Sequence, residues 1–227
     1  MNPLKYVLYA VILWIFCYSG LSWSEETLRI GAARSAINPP TGVYMGGYDY
    51  NRKVSGKHDD LYASAVVFDD GKTAVALVVL DALSIQYFTT ADIRNAAEKK
   101  VGDARLPGER ILVQATHTHA SPDMTGLYGP SQTESGLSPE YLKQVTETSA
   151  AVVKEAWTTR RPAHIAAATT TCSGWVSNDS EAGKVDPSVT ILVCTDEKGV
   201  VMATLTNFAA HPTVLDGDNT LTSADWV

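Results

Sequence analysis

The stretch ILVQATHTHASP at residues 111–122 contains the strongest structural signal in the chain. Its first half alternates apolar and polar side chains, which is the pattern of a β-strand with one buried face. The apolar members of that face are Ile111, Val113 and Ala115. Because side chains in a strand repeat every two residues, the same face continues into His117 and His119. We therefore predict a strand over residues 110–116 that delivers two imidazoles at its C-terminal end.

A second motif of this kind is NFAAHPT at residues 207–213, where His211 follows another apolar run. Neutral imidazole is the commonest metal ligand at physiological pH, and α/β proteins place their sites in loops at strand ends. A single histidine in such a position is usually a hydrogen-bonded structural residue. The pair His117 and His119, joined by His211 at a comparable strand end, favours a metal site.

Two other classes of metal enzyme use a His-x-His pair, and the chain departs from both. A binuclear hydrolase of the His-x-His-x-Asp-His type requires Asp and His at positions 121 and 122, where this chain has Ser121 and Pro122. A barrel amidohydrolase has its His-x-His at the end of the first strand, whereas at least three predicted strands precede His117.

The N-terminal 24 residues have the features of a secretory signal peptide. Lys5 provides the positive charge, and the apolar run at residues 6–18 is shorter than the ~20 residues of a membrane span. Small residues precede a cleavage site before Glu25. We therefore expect export to the periplasm or the extracellular space, with an uncleaved N-terminal membrane anchor as the alternative. In that oxidising setting Cys172 and Cys194 either pair or remain buried thiols.

The remaining residues, 25–227, have the composition of one globular domain. Hydrophobic residues make up 45% of the chain and charged residues 19%. The net charge of −7 argues against a nucleic-acid partner, because such partners require a basic surface.

Strand and helix patterns alternate along the chain. They predict a strand at 28–33, a hairpin of strands 62–68 and 73–80, a helix capped by Thr89, the strand at 110–116, a helix capped by Ser138 with Pro139 in its first turn, a strand at 163–171, and a hairpin of strands 189–194 and 200–209. This order predicts a mixed α/β fold, with β-sheets flanked by helices and a metal site at the C-terminal ends of strands.

From about Leu28 onward, short motifs follow one another in the order seen in a known family. The motifs are IGAA at 30–33, PP at 39–40, YMGGY at 44–48, GKHD at 56–59, LYA at 61–63, VVLD at 78–81, THTH at 116–119, DP at 186–187 and HPT at 211–213. In these motifs the chain resembles the N-terminal catalytic domain of neutral/alkaline, non-lysosomal ceramidases.

The resemblance implies a zinc-dependent hydrolase that cleaves the N-acyl amide bond of ceramide or of a related lipid amide, with peripheral membrane contact. By motif, His117 and His211 match zinc ligands, and His119 matches a catalytic residue facing the developing oxyanion. His58 matches a histidine that we interpret as structural. Asp81 also matches, either as a partner of a ligand histidine or as the end of a strand.

The chain departs from the family pattern in two regions. The family often has an Asn-Arg pair before the Asp-Pro motif, but residues 176–179 here read VSND and contain no arginine. The family's other zinc ligands, a glutamate and a tyrosine, and its serine nucleophile follow the His-Pro-Thr motif at a distance that lies beyond Val227. We therefore expect the chain to be the N-terminal part of a longer protein, with Asp123 or Asp225 as substitute ligands. The alternative is a catalytically incomplete secreted domain that binds a lipid or a protein partner.

Overall fold

A computed structural model describes residues 27–227, so the predicted signal peptide at 1–24 lies outside the described residues. The strands are β1 (Arg29–Ala36), β2 (Gly56–Lys57), β3 (Tyr62–Asp69), β4 (Ala74–Leu80), β5 (Ile111–Ala115), β6 (Arg161–Thr171), β7 (Ser188–Asp196), β8 (Val201–Phe208) and β9 (Leu221–Thr222). The helices are α1 (Tyr87–Val101) and α2 (Pro139–Thr158), and a short 3₁₀ turn spans Gly108–Arg110. None of the helices in the described residues is long and apolar enough to cross a membrane.

Seven of the strands form one mixed sheet in the order β5-β4-β3-β1-β6-β7-β8, which confirms the predicted mixed α/β class. The predicted hairpins are present as the antiparallel pairs β3–β4 and β7–β8. Strands β4 and β5 are parallel and are connected through α1. Because parallel strands end at the same edge of a sheet, the residues after β4 and the residues after β5 lie side by side.

Helix α2 packs on β1 and β3 and encloses the main core. It begins as predicted, because the Ser138 hydroxyl accepts a hydrogen bond from the Tyr141 amide at 3.2 Å and Pro139 occupies the first turn. Its buried face includes Tyr141, Val145, Val153 and Trp157. The strands contribute mainly Ala, Val and Leu to the same core, whose small side chains allow the helices to approach the sheet closely.

Helix α1 begins earlier than the sequence predicts. Its N-cap is Gln86, whose side chain makes no capping hydrogen bond. Thr89, the predicted cap, is buried within the first turn and faces the core. That turn leaves Tyr87 and Phe88 largely exposed. The helix ends at Gly102, which adopts the left-handed conformation that glycine tolerates.

The two halves of the sheet are joined weakly. β1 and β6 are paired through only Arg29↔Pro162 and Ile30↔Arg161. The core on the β6–β8 side contains three buried residues, Ile30, Ala163 and Cys194. Cys194 is paired in register with Ile165, and both Cys172 and Cys194 are free. Cys172 lies seven positions beyond Ile165, which corresponds to about 23 Å along an extended strand, so the two thiols are too distant to pair.

Candidate metal centre

Three histidines from distant parts of the sequence converge in the folded chain. The potential ligand atoms of His117, His119 and His211 all lie within 4.8 Å of one another. The rings of His117 and His211 are stacked, with centroids 5.0 Å apart and planes inclined by 15°. The ring of His119 meets both edge-on. His117 and His211 are exposed and His119 is partly buried, so the cluster is open to solvent on one side.

The three histidines converge as expected, but strand alternation is not what positions His117 and His119. β5 ends at Ala115, and His117 lies beyond it with a φ of 71°, in the left-handed region. The predicted extension of the strand through Thr116 is therefore wrong. The backbone instead turns along the segment that follows β4, where the Thr116 amide donates to the Leu80 carbonyl and the His117 amide to the Ala82 carbonyl.

Leu83 orients the ring of His117. Its carbonyl oxygen lies 2.6 Å from Nδ1 of the histidine, so that nitrogen carries the proton and Nε2 presents its lone pair to the cluster. Leu83 is held in turn, because its amide donates to the buried Ser121 hydroxyl at 2.9 Å. Ser121 donates to the carbonyl of Thr118, within the same histidine motif.

Asp81 does not contact His117. One of its carboxylate oxygens accepts a hydrogen bond from the Tyr62 amide at 2.8 Å, so the structure supports the reading of Asp81 as the end of a strand. Burial raises the pKa of this carboxyl to about 6.

His119 is the most confined of the three imidazoles. Its Nδ1 is buried against the Gly47 backbone without a hydrogen bond of ordinary geometry, and a Cβ atom added to Gly47 would lie only 2.5 Å from it. The Tyr48 ring packs edge-on against the imidazole, with centroids 5.0 Å apart. Burial, followed by the neighbouring His211 and His117, lowers the pKa of His119 to about 4. His119 is therefore a neutral imidazole at physiological pH, as metal ligation requires.

The two acids considered as substitute ligands serve the loops instead. Asp123 is buried and accepts hydrogen bonds from the amides of Thr125, Gly126 and Tyr128. Asp225 accepts from backbone amides that include that of Leu215. Within the described residues, no carboxylate joins the three-histidine group.

His58 lies outside the cluster, on the surface. Its Nδ1 is 2.8 Å from the Asp59 carboxylate. Asp59 also accepts hydrogen bonds from the Ser223 hydroxyl and the Ala224 amide, which fastens the segment around β9 to the loop that follows β2. His58 thus has a structural environment, in line with its interpretation from the sequence.

The donor set fits a transition metal. Three imidazole nitrogens suit zinc, and three protein ligands with one open position are the usual arrangement of a catalytic zinc site. The cluster accommodates His119 either as a third ligand or as a donor beside a metal held by His117 and His211.

Four residues that support the cluster were not identified as site residues from the sequence: Gly47, Tyr48, Arg52 and Leu83. Gly47, Tyr48 and Arg52 belong to the loop between β1 and β2, whose length and richness in glycine and tyrosine were the available signal. Leu83 acts through its backbone carbonyl, which no side-chain pattern reveals.

Solved structures with the same fold have been found for this chain. The crystal structure of neutral ceramidase from Pseudomonas aeruginosa matches with a TM-score of 0.74 at 18% identity, over 87% of this chain and 34% of that chain. A structure of ceramidase complexed with C2 matches with a TM-score of 0.73 at 19% identity, over 87% of this chain and 33% of that chain. The chain thus spans about a third of the length of these structures. No curated protein sequence matches the chain.

The family comparison covers the described part of the chain almost completely. The model for neutral/alkaline non-lysosomal ceramidases, N-terminal, matches residues 28–227, which include all three converging histidines. The chain therefore belongs to the neutral/alkaline non-lysosomal ceramidase family and carries its N-terminal region.

Proposed function

We propose that this chain is part of an exported, zinc-dependent amidohydrolase that cleaves the N-acyl amide bond of ceramide or of a related lipid amide. The observation that carries the proposal is the convergence of His117, His119 and His211 in a chain of this family. Zinc bound there would act as a Lewis acid toward the amide carbonyl.

In this proposal His117 and His211 hold the metal. The hydrogen bond between His117 Nδ1 and the Leu83 carbonyl leaves Nε2 as the ligand atom and fixes the plane of the ring. The ring of His211 stacks on it, and the ligand atoms of the two histidines lie within 4.8 Å of each other, which supports one shared ion.

His119 acts as the catalytic hydrogen-bond donor. Its ring is neutral at physiological pH and its Nδ1 is buried, so Nε2 is the nitrogen that faces the cluster. An N–H at that nitrogen would stabilise the negative charge that develops on the amide oxygen in the transition state.

Exposed apolar side chains on the segment that continues from Leu83 support contact with a lipid. Tyr87 and Phe88 are 74% and 78% exposed at the start of α1, four residues after Leu83. Gln86 donates to the Thr125 carbonyl at 3.4 Å, which links this turn to the loop that carries Leu127, 65% exposed. Exposed aromatic and aliphatic side chains on neighbouring segments support peripheral contact with lipid.

The second candidate is a catalytically incomplete secreted domain that binds a lipid or a protein partner. It is favoured by the absence of a carboxylate from the histidine group in the described residues.

The test is hydrolysis of a fluorescent N-acyl sphingosine by the protein as the cell produces it. We expect activity that disappears with a zinc chelator and returns when zinc is added. Binding of the same lipid without turnover, at any zinc concentration, would instead support the second candidate.

A further inference from the structure

Arg52 is a buried cation whose presence beside the histidine cluster needs an explanation. Its side chain is only 8% exposed, and it makes no ion pair with a carboxylate of the described residues. Burial lowers the pKa of its guanidinium below the usual value. A buried charge with no carboxylate within ion-pair distance is destabilising unless hydrogen bonds compensate it.

The acceptors of Arg52 are main-chain carbonyls from three separate segments. Nη2 donates to the carbonyls of His119 at 2.7 Å and of Gly46 at 2.9 Å. Nη1 makes a longer contact of 3.5 Å with the carbonyl of Gly217, in the segment that follows His211. One planar group therefore ties together the loop after β1, the THTH segment and the loop after β8.

Tyr48 completes this support. Its ring lies beneath the guanidinium, with the central carbon 4.8 Å from the ring centroid, and the same ring packs edge-on against His119. The Tyr48 hydroxyl donates to the Leu215 carbonyl at 2.9 Å. The imidazole of His119 is thus held through its backbone by Arg52 and through its ring by Tyr48.

We propose that Arg52 is a positioning residue that fixes His119 opposite His211 before any metal binds. The inference rests on the proposed function in treating the cluster as a metal site, but the placement of His119 can be measured without metal. Lysine would keep the charge and lose the planar fork, whose separate nitrogens reach carbonyls of different segments.

The experiment compares Arg52→Met and Arg52→Lys in the full chain. The matched control is Arg34→Met, which removes another arginine lying over a tyrosine, 4.6 Å from the Tyr62 ring centroid and on the surface. Three quantities are measured: Co²⁺ affinity from the visible absorption of the bound ion, the histidine ring resonances of the metal-free protein by long-range ¹H–¹⁵N NMR, and the melting temperature.

Because His117 and His211 are the proposed ligands, we expect Arg52→Met to keep a Co²⁺ affinity close to that of the parent. The His119 resonances should shift in the metal-free protein while those of the remote His164 stay in place. Arg52→Lys should show a smaller change of the same kind, and Arg34→Met should show none.

Parent His119 resonances in Arg52→Met would overturn the proposal. A general shift of all histidine resonances with early melting would also overturn it, because that result describes a purely structural residue. If Arg52→Met does not fold, the His119 resonances of Arg52→Lys decide the question. If the parent chain binds no Co²⁺, the proposed function fails, and the metal-free resonances alone decide the role of Arg52.

Discussion

The Nε2 atoms of His119 and His211 lie 2.8 Å apart, although 92 residues separate the two histidines in sequence. In the metal-free chain one of these nitrogens donates a proton to the other. A metal ligated by His211 would occupy the lone pair that accepts this proton and release the N–H of His119 toward a substrate. With His119 as the donor, the contact would link the state of the metal site to the availability of the proposed catalytic N–H.

Substitution of either proposed ligand should abolish zinc binding. His117→Ala and His211→Ala each remove a nitrogen that the cluster presents to the metal. Elemental analysis of the purified natural protein should show stoichiometric zinc in the parent and in His164→Ala, an exposed histidine of β6, and none in the two variants. Zinc retained at the parent level in either variant would contradict the ligand assignment.

His119→Ala should separate a donor from a ligand. If His119 stabilises the oxyanion, the variant keeps its zinc and loses about 10²- to 10³-fold in kcat, the usual cost of one oxyanion donor. The measurement is zinc content and kcat on the same preparation. Loss of zinc along with activity would make His119 the third ligand and would assign the oxyanion role to another group.

Gly47→Ala should displace the ring of His119. Gly47 has a φ of 100°, and its added Cβ would meet the imidazole at 2.5 Å. The control is Gly42→Ala, where φ is 88° but nothing lies within 4 Å of the added atom. Both variants bear the backbone cost of a left-handed alanine, roughly 1–2 kcal/mol of unfolding free energy. Only Gly47→Ala should also shift the ring resonances of His119 in the metal-free protein, and unchanged resonances in that variant would argue against a close fit around His119.

Asp81→Asn should stabilise the chain at neutral pH and have little effect in acid. The pKa of Asp81 is raised to about 6 in the folded chain, so folding favours its protonated form. The stability contributed by Asp81 is therefore lost as the pH rises from about 4, the pKa in the unfolded chain, to about 6, the pKa in the folded chain. Above pH 6 the full penalty of the buried carboxylate applies. Asparagine avoids the penalty and its amide oxygen can still accept from the Tyr62 amide.

A pKa difference of about two units corresponds to a gain on the order of 1–3 kcal/mol in the free energy of unfolding of Asp81→Asn at pH 7. The measurement is urea unfolding of the variant and the parent across the pH range. Asp103→Asn provides the opposite sign, because the hydrogen bond from Arg105 lowers the pKa of Asp103 to about 2. That variant should lose stability at neutral pH and approach the parent in acid. A stability gain for Asp81→Asn that is the same at all pH values would show that the carboxyl is not the cause.

The sequence predicts the elements of this fold better than their ends. Hairpins, the β5 strand and the Ser138 cap are written in local patterns of polarity and turn residues, and they appear as expected. The predicted start of α1 was wrong, because Thr89 is a residue type that caps helices but its side chain is buried against the core. The insertion of β1 between β3 and β6 depends on pairing between residues far apart in sequence, which no local pattern contains.

The histidines of the candidate site could be predicted from the sequence, whereas the residues that hold them in place could not. Imidazoles in short motifs are visible in a sequence, and all three were expected near one another. The positions of His117 and His119 nevertheless depend on a left-handed backbone turn rather than on strand alternation. Arg52 donates to backbone carbonyls, and Leu83 acts through its own carbonyl. Their roles therefore appear only when the segments they connect are brought together.

Because β1 and β6 pair through only two residue pairs, the histidine cluster bears on how the two halves of the sheet stay together. His117 and His119 follow a strand of one half of the sheet, whereas His211 follows a strand of the other, and the ladder between β1 and β6 that joins the halves has only two residue pairs. An ion bound by all three side chains would cross-link the halves and resist their separation. Its binding energy would then add to the stability of the fold, so loss of the ion should loosen the association of β6–β8 with the rest of the sheet before the helices melt.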